Sequence, residues 1–176
     1  PEALAMGDMV VVMDTGHIEQ SGTAVEIYGQ PRTTYVAEFM GGWNVVRGTV
    51  AEVNNGEATI KGGDGLLYGA KASGEAVGAD MNIGIRRDKI HLRRDAAGDK
   101  NSVGGVVHAI EYQGNWVKVT VVKPNDERLV AVIEDHEFFQ DPATVGDNLH
   151  ATWSIVDGRV LEKALGSQNL IGETFD

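Results

Sequence analysis

Five cations lie close together in the middle of the chain, where they could bind an anion. The stretch 86–95 contains five basic residues against two acidic ones, and the basic ones are Arg86, Arg87, Lys89, Arg93 and Arg94. Guanidinium groups bind planar oxyanions through paired hydrogen bonds, so the cluster is a candidate contact for an anion or a charged partner. The alternative is a solvated edge strand whose charges discourage aggregation. The solvated edge strand is the favoured interpretation, because most surface charges contribute little free energy to folding or binding.

Histidines and carboxylates offer a second kind of chemistry, the binding of a metal ion. His91 and His108 have no partner residue at a metal-ligand spacing, whereas His136 lies within the acidic run 134–137. A run of this kind is more often a solvated turn than a metal site. The absence of cysteine excludes a disulfide, a Cys-ligated metal and a thiol nucleophile. We therefore predict no metal site and no catalytic residue in this chain.

Phosphate chemistry needs a glycine-rich loop, and the glycines of this chain do not form one. An ATPase needs G-x-x-x-x-G-K-[S/T] around the phosphates, and no such run occurs. The spacing Gly63-x-Gly65-x-x-x-Gly69 does not match G-x-G-x-x-G, and its β context has no helix N-terminus for a phosphate. The chain alone is therefore expected to be no enzyme and to hold no cofactor.

Length and charge narrow the remaining classes. The chain has 176 residues and a formal charge of −11, which argues against a sequence-independent nucleic-acid binder. Its longest apolar run, Met9–Met13, is far shorter than the roughly 20 residues that span a bilayer. Trp43, Trp116 and Trp153 could stack on bases, but packing in the core is the favoured role. We expect a cytoplasmic protein, and a piece of a longer one because it begins with Pro1.

Two kinds of element must position these residues, and the first kind occupies the N-terminal 41 residues. The Met9–Met13 run, a Thr15-Gly16 turn and a second short strand predict a β-hairpin whose first strand is buried on both faces. Thr23 with Glu26 forms a capping box that predicts a short helix. Thr33 or Thr34 caps a second helix, which ends at Gly41.

From Trp43 onward the apolar period changes to two, which predicts an all-β region with frequent turns. Asn44–Val50 matches Asn101–Val107 at N-x-V-x-G-x-V, and Val77-Gly78 is echoed by Val145-Gly146 in the same order. We predict a mainly β fold in which residues 42–176 form an OB-like module. Within it, a duplicated β unit spans approximately 42–98 and 99–165.

The chain resembles the C-terminal part of an ATP-binding-cassette (ABC) importer ATPase of the maltose, polyamine, sulfate and ferric-iron type. Residues 1–41 resemble the end of the ATPase domain, and the β region resembles its TOBE domain. In the first part the resemblance is carried by Glu2-Ala3-Leu4, Val12-Met13, Gly16, Ile18, Gln20, Gly22-Thr23, Glu26-Ile27-Tyr28, Pro31, Val36-Ala37, Phe39 and Gly41. In the β region it is carried by Asn44, Gly48, Gly84-Ile85-Arg86 and Tyr112-x-Gly114. The chain departs from the family pattern at Gly7, Met9, Ala24 and Arg87.

The resemblance implies a regulatory and dimerisation region. ATP and Mg²⁺ would bind upstream in the parent, which would work as a homodimer on membrane-spanning permease subunits at the inner face of the cell membrane. A regulatory protein or a small ligand is a further expected partner. Binding of a nucleic acid is not expected. Polyamine and ferric iron are the solutes that the general resemblance favours.

Two further hypotheses follow. The competing class is a free-standing OB-like module for a small oxyanion, in which a resemblance to molybdate-binding modules would make Asn44 and Arg47 polar ligands. The Ser-Ala-Arg-Asn run of those modules is missing. The second hypothesis is self-association through residues 1–41, because the apolar Met9–Met13 strand would lie exposed without an ATPase core to cover it.

Overall fold

A β-hairpin and two short helices form the first part of the computed structural model, which describes residues 9–96, 98 and 100–165. Strands β1 (Val10–Asp14) and β2 (His17–Gly22) pair antiparallel around the predicted turn. Thr15 and Gly16 both have positive φ there, 47° and 79°, as a two-residue hairpin turn requires. The resemblance residues 2–4 and the departure at Gly7 lie outside the described residues.

Both predicted helices are present, with the predicted caps. Helix α1 (Ala24–Gly29) begins after Thr23, whose hydroxyl and the Glu26 carboxylate form the complete capping box. Helix α2 (Thr34–Met40) is capped by Thr33 and ends at Gly41, which has φ 74°. Both helices pack on one face of the hairpin in a small core of Val10, Val12, Ile27, Val36 and Met40.

The prediction that β1 is buried on both faces is wrong for this chain. Val10 and Val12 are buried, but Val11 is 48% and Met13 55% exposed. The hairpin is a two-stranded sheet, and the two helices cover only one of its faces. The opposite face of β1 therefore presents apolar side chains that no described residue buries.

The β region consists of two five-stranded antiparallel sheets of the same design. The first has the strand order β5-β4-β3-β6-β12 and the second β10-β9-β8-β11-β7. The strands of the first sheet are β3 (Trp43–Asn54), β4 (Glu57–Gly62), β5 (Leu67–Lys71), β6 (Asp80–Arg86) and β12 (Gly158–Leu161). Those of the second are β7 (His91–Arg93), β8 (Asn101–Gln113), β9 (Trp116–Val122), β10 (Arg128–Glu134) and β11 (Asn148–Trp153). Helix α3 (Asp135–Phe138) follows β10.

Each sheet takes its fifth strand from the other sequence repeat. Strand β7 follows β6 in the chain but pairs with β11, and β12 follows β11 but pairs with β6. Short 3₁₀ helices, Arg87–Lys89 and Ile155–Asp157, lead into these two crossing strands. The two repeats are thus interlocked, which the sequence pattern did not predict. The boundaries 42–98 and 99–165 stay a prediction about the repeat in the sequence, and the last residues of the 42–176 module lie outside the described part.

One asparagine from each repeat joins it to the other repeat. The Asn44 amide donates to the Val130 carbonyl and accepts from the Val130 N–H, both at 2.8 Å. Asn101 bonds the backbone of Gly69 in the same two-way manner, at 3.0 and 2.8 Å. Both asparagines are buried, so each pair of bonds satisfies backbone groups inside the protein.

The hairpin and helices dock on the first sheet through α2 and β12. Ala37, Trp43 and Leu161 form a buried apolar cluster at this junction. Hydrogen bonds join the same parts, from the Trp43 indole to the Tyr28 carbonyl and from the Arg159 guanidinium to the Pro31 carbonyl, both at 2.9 Å. The N-terminal segment is therefore held by both the beginning and the end of the β region.

Candidate functional site

The predicted cation cluster is divided among separate contacts. Arg86, the residue before the first 3₁₀ helix, pairs with Asp88 of that helix at 2.9 Å. Arg94 pairs with Asp141 at 3.1 Å and Asp147 at 3.0 Å, which ties β7 to the segment before β11. The backbone N–H of Thr144 and the Arg94 guanidinium lower the pKa of the Asp147 carboxyl. Two members of the cluster are thus occupied by acidic neighbours.

The other candidates differ in how far they are occupied. Arg47 pairs with Glu38 of helix α2 at 2.6 Å, and Asn44 is used in the bond between the repeats. Lys89 is exposed on the first 3₁₀ helix, and Arg93 is exposed on β7. The structure does not gather the seven predicted residues into one site, and whether any of them contacts an anion stays a prediction.

Arg87 is the exception among the cations. Its Nε is buried and has no hydrogen-bond partner among the described residues, and none of their carboxylates lies within 4.0 Å, the limit for an ion pair. Burial lowers the pKa of the Arg87 guanidinium, and the nearby Tyr28 opposes that effect only in part. Its backbone N–H donates to the Gly42 carbonyl at 3.1 Å, which fixes the residue beside the end of helix α2.

The Arg87 side chain lines a cavity of about 410 Å³ at the junction of three parts of the chain. Tyr28, Gly41 and Gly42 come from the helical segment, and Arg86–Asp88 come from the first repeat. The second repeat supplies Gln113, Trp116, Lys118 and Val132. The Tyr28 ring lies directly on Gly42, since a Cβ at that glycine would be 2.8 Å from the tyrosine oxygen.

A buried polar cluster also lies between the repeats, beside a second cavity that Arg87 lines, and the sequence pattern does not predict it. Lys123 Nζ binds Asp64 at 2.7 Å, and both side chains are only 6% exposed. Asp64 also accepts hydrogen bonds from the Tyr68 hydroxyl and the Leu66 N–H. Burial raises the pKa of the Asp64 carboxyl. The hydrogen bonds from Lys123, Tyr68 and Leu66 together lower this pKa by more than burial raises it, so the net shift is downward.

The only sequence signal for this cluster was Lys123 itself, a cation at the end of the apolar strand β9. A neighbouring acid, Glu127, also binds Lys123, and this bond lowers the pKa of the Glu127 carboxyl. The cluster lines a cavity of about 440 Å³ between the repeats. Since its one buried cation is already bound to two carboxylates, the cluster is a structural bridge between the repeats.

The tryptophans and the His136 region have different surroundings. Trp43 and Trp153 are buried in the core, as predicted, but Trp116 is 41% exposed at the start of β9. The core prediction is wrong for Trp116 because its partner Gln113 borders the β8–β9 turn, beyond the packed part of the sheets. His136 is 69% exposed beside Glu134. Among the described residues, no three histidines and carboxylates are grouped as metal ligands.

Two five-stranded sheets built from a repeated β unit define an OB-like module, and the comparisons support this class. The cytoplasmic molybdate-binding protein ModG has a similar solved structure, with a TM-score of 0.62 and 19% identity. The match covers 66% of this chain and 94% of that one. The prediction of a mainly β, OB-like fold is confirmed.

The family comparison is more specific. Residues 83–161 match the family described as "TOBE domain". The chain is 30% identical over 153 residues to the spermidine/putrescine import ATP-binding protein PotA of Thermobifida fusca, covering 86% of this chain and 40% of that protein. It is 35% identical over 133 residues to PotA of Rubrobacter xylanophilus, covering 74% of this chain and 34% of that protein. It is 27% identical over 176 residues to PotA of Protochlamydia amoebophila, covering 96% and 47%.

The predicted resemblance is therefore confirmed: residues 83–161 match the TOBE domain family, and the chain is similar to part of the ATP-binding subunits of ABC importers. The chain spans less than half the length of these relatives. Across the described residues, no helix has the length and apolarity to cross a lipid bilayer.

Proposed function

We propose that this chain is the C-terminal regulatory and dimerisation region of the ATP-binding subunit of a solute importer. One observation carries the proposal. The match to PotA of Protochlamydia amoebophila covers 96% of the chain, so it includes the hairpin and helices as well as the TOBE domain. A free-standing β module would need no segment of that kind.

The exposed face of the hairpin supports the same proposal. Met9, Val11, Met13 and Ile18 are 48–68% exposed on one small two-stranded sheet. Apolar side chains concentrated in this way mark a surface that another protein surface covers. In the proposed parent, the preceding ATPase domain covers it, and that domain binds ATP and Mg²⁺.

The proposed partners are those of the parent subunit. A second copy of the subunit and the membrane-spanning permease subunits would bind it at the inner face of the cell membrane, and a regulatory protein or small ligand would bind the β region. The names of the relatives favour a polyamine over ferric iron as the solute. ATP hydrolysis would drive transport in the parent, and this chain by itself would hydrolyse no ATP.

The first test is the coding sequence immediately upstream of Pro1. We expect it to encode a G-x-x-x-x-G-K-[S/T] loop, because phosphate binding in the parent needs one. The longer protein should then hydrolyse ATP with Mg²⁺, and the 176-residue chain should not. A start codon directly before Pro1, or Mg²⁺-dependent turnover by the chain alone, would contradict the proposal.

A second test measures self-association of the chain by light scattering at high concentration. We expect dimers or larger species, since the apolar hairpin face is uncovered. Val11→Lys should reduce association, because it places a charge on that face. Val25→Lys is the matched control: Val25 is 81% exposed on helix α1. A monomer at every concentration would contradict association through the hairpin.

The alternative function is a free-standing module that binds a small oxyanion. The ModG likeness favours it only at the level of the fold, because the identity is 19%. Asn44 and Arg47, its expected polar ligands, are bound to Val130 and Glu38. If the upstream sequence encodes no phosphate loop, this alternative becomes the leading function.

A further inference from the structure

The two repeats provide an internal control for the role of Arg87. Strands β6 and β11 correspond at an offset of 68 residues, as the buried pair Ile85 and Trp153 shows. Two residues further on, Arg87 and Ile155 each begin the 3₁₀ helix that leads into a crossing strand. The same structural position is thus occupied by a cation in one repeat and by an apolar residue in the other.

Ile155 shows what the fold itself requires at this position. Its side chain packs on β5 of the opposite repeat, where a Cβ added at Gly69 would lie 2.8 Å from Ile155 Cδ1. The position is therefore an apolar contact between the repeats. Arg87 instead places a guanidinium there, with its Nε buried and unbonded. Burying a guanidinium nitrogen without a hydrogen-bond partner costs free energy, so the fold alone gives no reason for an arginine.

The surroundings of Arg87 have the features of a small-ligand site. The cavity of about 410 Å³ is within the range of ordinary ligand pockets. Tyr28 and Trp116 give it aromatic walls, while Gln113 and Lys118 add hydrogen-bond donors. Lys118 lies 3.4 Å from Glu111, and Arg86 is paired with Asp88, so Arg87 is the cation of the cavity with no acidic partner among the described residues.

We propose that this junction cavity binds a small oxyanion, a carboxylate or a phosphate, with Arg87 as its principal contact. The anion accepts hydrogen bonds from the guanidinium and so provides the missing partner. Where the anion carries a carbon skeleton, that skeleton lies against Trp116 and Tyr28. Because the walls come from helix α1, the first 3₁₀ helix and strand β9, the bound anion joins the N-terminal segment to both repeats.

The proposal goes beyond the assignment to an importer subunit and does not depend on it. It concerns a cavity that the 176-residue chain contains by itself, whatever lies upstream. The cavity can bind an anion even if the upstream sequence encodes no ATPase. The upstream sequence can likewise encode an ATPase even if the cavity binds no anion. The two proposals are therefore tested separately.

The test is calorimetric titration of the chain with sodium phosphate, sodium sulfate and sodium succinate, each at constant ionic strength. We expect saturable 1:1 binding of at least one of them, and the preferred anion separates phosphate from carboxylate chemistry. Arg87→Ile, which copies the other repeat, should weaken that binding more than tenfold. Arg87→Lys should retain part of it, and Lys89→Gln should change it less than twofold, as an exposed cation on the same 3₁₀ helix.

A second measurement locates the site without any substitution. The indole N–H resonance of Trp116 should shift on titration with the bound anion, while that of the buried Trp153 should stay in place. No saturable binding of any of the three anions would overturn the proposal. It would equally be overturned by Arg87→Ile binding as tightly as the parent chain, by Lys89→Gln losing as much as Arg87→Ile, or by shifts that spare Trp116.

Discussion

The two β repeats have the same architecture but share few of their residues, and this difference separates what the fold needs from what it permits. Asn44 and Asn101 make the same two-way bond to the opposite repeat. Both repeats also have a register shift at the same place, between Val50 and Glu52 and between Val107 and Ala109. Identical residues and irregularities at corresponding places mark positions where the geometry leaves little choice.

Other corresponding positions have residues of unlike chemistry. In one repeat the Gly62 N–H donates a hydrogen bond to the Leu66 carbonyl, and in the other the Lys123 N–H donates in the same way to the Glu127 carbonyl. The backbones match, yet one residue has no side chain and the other carries a buried cation. Arg87 and Ile155 differ in the same way. Positions of this kind are open to a function that only one repeat needs.

The largest expected effect is at the glycines that both repeats share. A Cβ at Gly48 would lie 2.3 Å from Ile60 Cγ2 and 2.6 Å from the Lys61 carbonyl oxygen. At Gly105 the corresponding distances are 2.5 Å to Val121 Cγ1 and 2.7 Å to the Val122 oxygen. Because backbone must move, Gly48→Ala and Gly105→Ala should each lower the free energy of unfolding by about 3 kcal/mol in urea denaturation.

Gly104→Ala is the matched control for the glycine substitutions. The nearest atom to its added Cβ is His150 Cε1 at 3.5 Å, an ordinary contact. We expect a change within about 0.5 kcal/mol. A large loss at Gly48 with none at Gly105 would show that the repeats do not share this requirement.

The next effect concerns the asparagines between the repeats. Asn44→Ala and Asn101→Ala each leave a backbone N–H and a carbonyl of the opposite repeat without partners in a buried region. Each should cost about 2 kcal/mol of unfolding free energy, measured by denaturant unfolding. Asn54→Ala is the control, because Asn54 is exposed at the end of β3 and should be near neutral. If only one of the two buried asparagines matters, the joint between the repeats is one-sided.

A smaller, pH-dependent effect on the free energy of unfolding is expected at Asp64, which has a buried charged partner in the other repeat. Asp64→Asn removes the carboxylate that binds Lys123 and should cost about 1.5 kcal/mol at neutral pH, since Lys123 keeps its bond to Glu127. The folded-state pKa of Asp64 lies below the ordinary value of 3.8. Its stabilisation is therefore fully present above that value and is lost as the pH falls below it.

Thermal unfolding from pH 7 to pH 2.5 measures this effect. The gap in unfolding free energy between the parent chain and Asp64→Asn should narrow below about pH 4. Glu57→Gln serves as the control, because Glu57 pairs with Lys100 at the surface, where both side chains are about half exposed. A gap that stays constant down to pH 2.5 would show that the Asp64 charge does not stabilise the joint.

The smallest effect is expected at Arg47. Its counterpart in the second repeat is Gly104, so the fold tolerates the absence of any side chain there. The Arg47–Glu38 pair is about half exposed and should contribute about 0.5 kcal/mol. Arg47→Gln should therefore lose about that much in low salt and less in 0.5 M NaCl. A loss above about 1.5 kcal/mol would mean that docking of helix α2 depends on this pair.

The local elements could be predicted because their signals are short-range. The capping box of Thr23 and Glu26, the positive-φ turn at Thr15-Gly16 and the stop at Gly41 depend on residues within a few positions of one another. The error at β1 arose because its apolar run reads the same whether one face or two are covered. Only the packing of the two helices shows which face is buried here.

The candidate site was predicted only in part. Arg87 was among the residues selected, but so were Arg86, Arg94 and Arg47, whose acidic partners lie up to 53 residues away in the chain. The sequence pattern places Tyr28 in a helix and predicts a core position for Trp116, and neither prediction indicates that both residues line the junction cavity. The partner of Arg86 is local, but the partners of Arg94 are set by which segments become neighbours, and that information is not local.

The sequence by itself determined the hairpin, the capped helices, the repeated β unit and the resemblance to an importer subunit. Each of these depends on residue types at fixed spacing along the chain. The tertiary structure alone decided the exchange of β7 and β12, the joints at Asn44 and Asn101, and the burial of Arg87 Nε without a partner among the described residues. These depend on contacts between residues more than 30 positions apart along the chain, and such contacts exist only when both repeats are folded together.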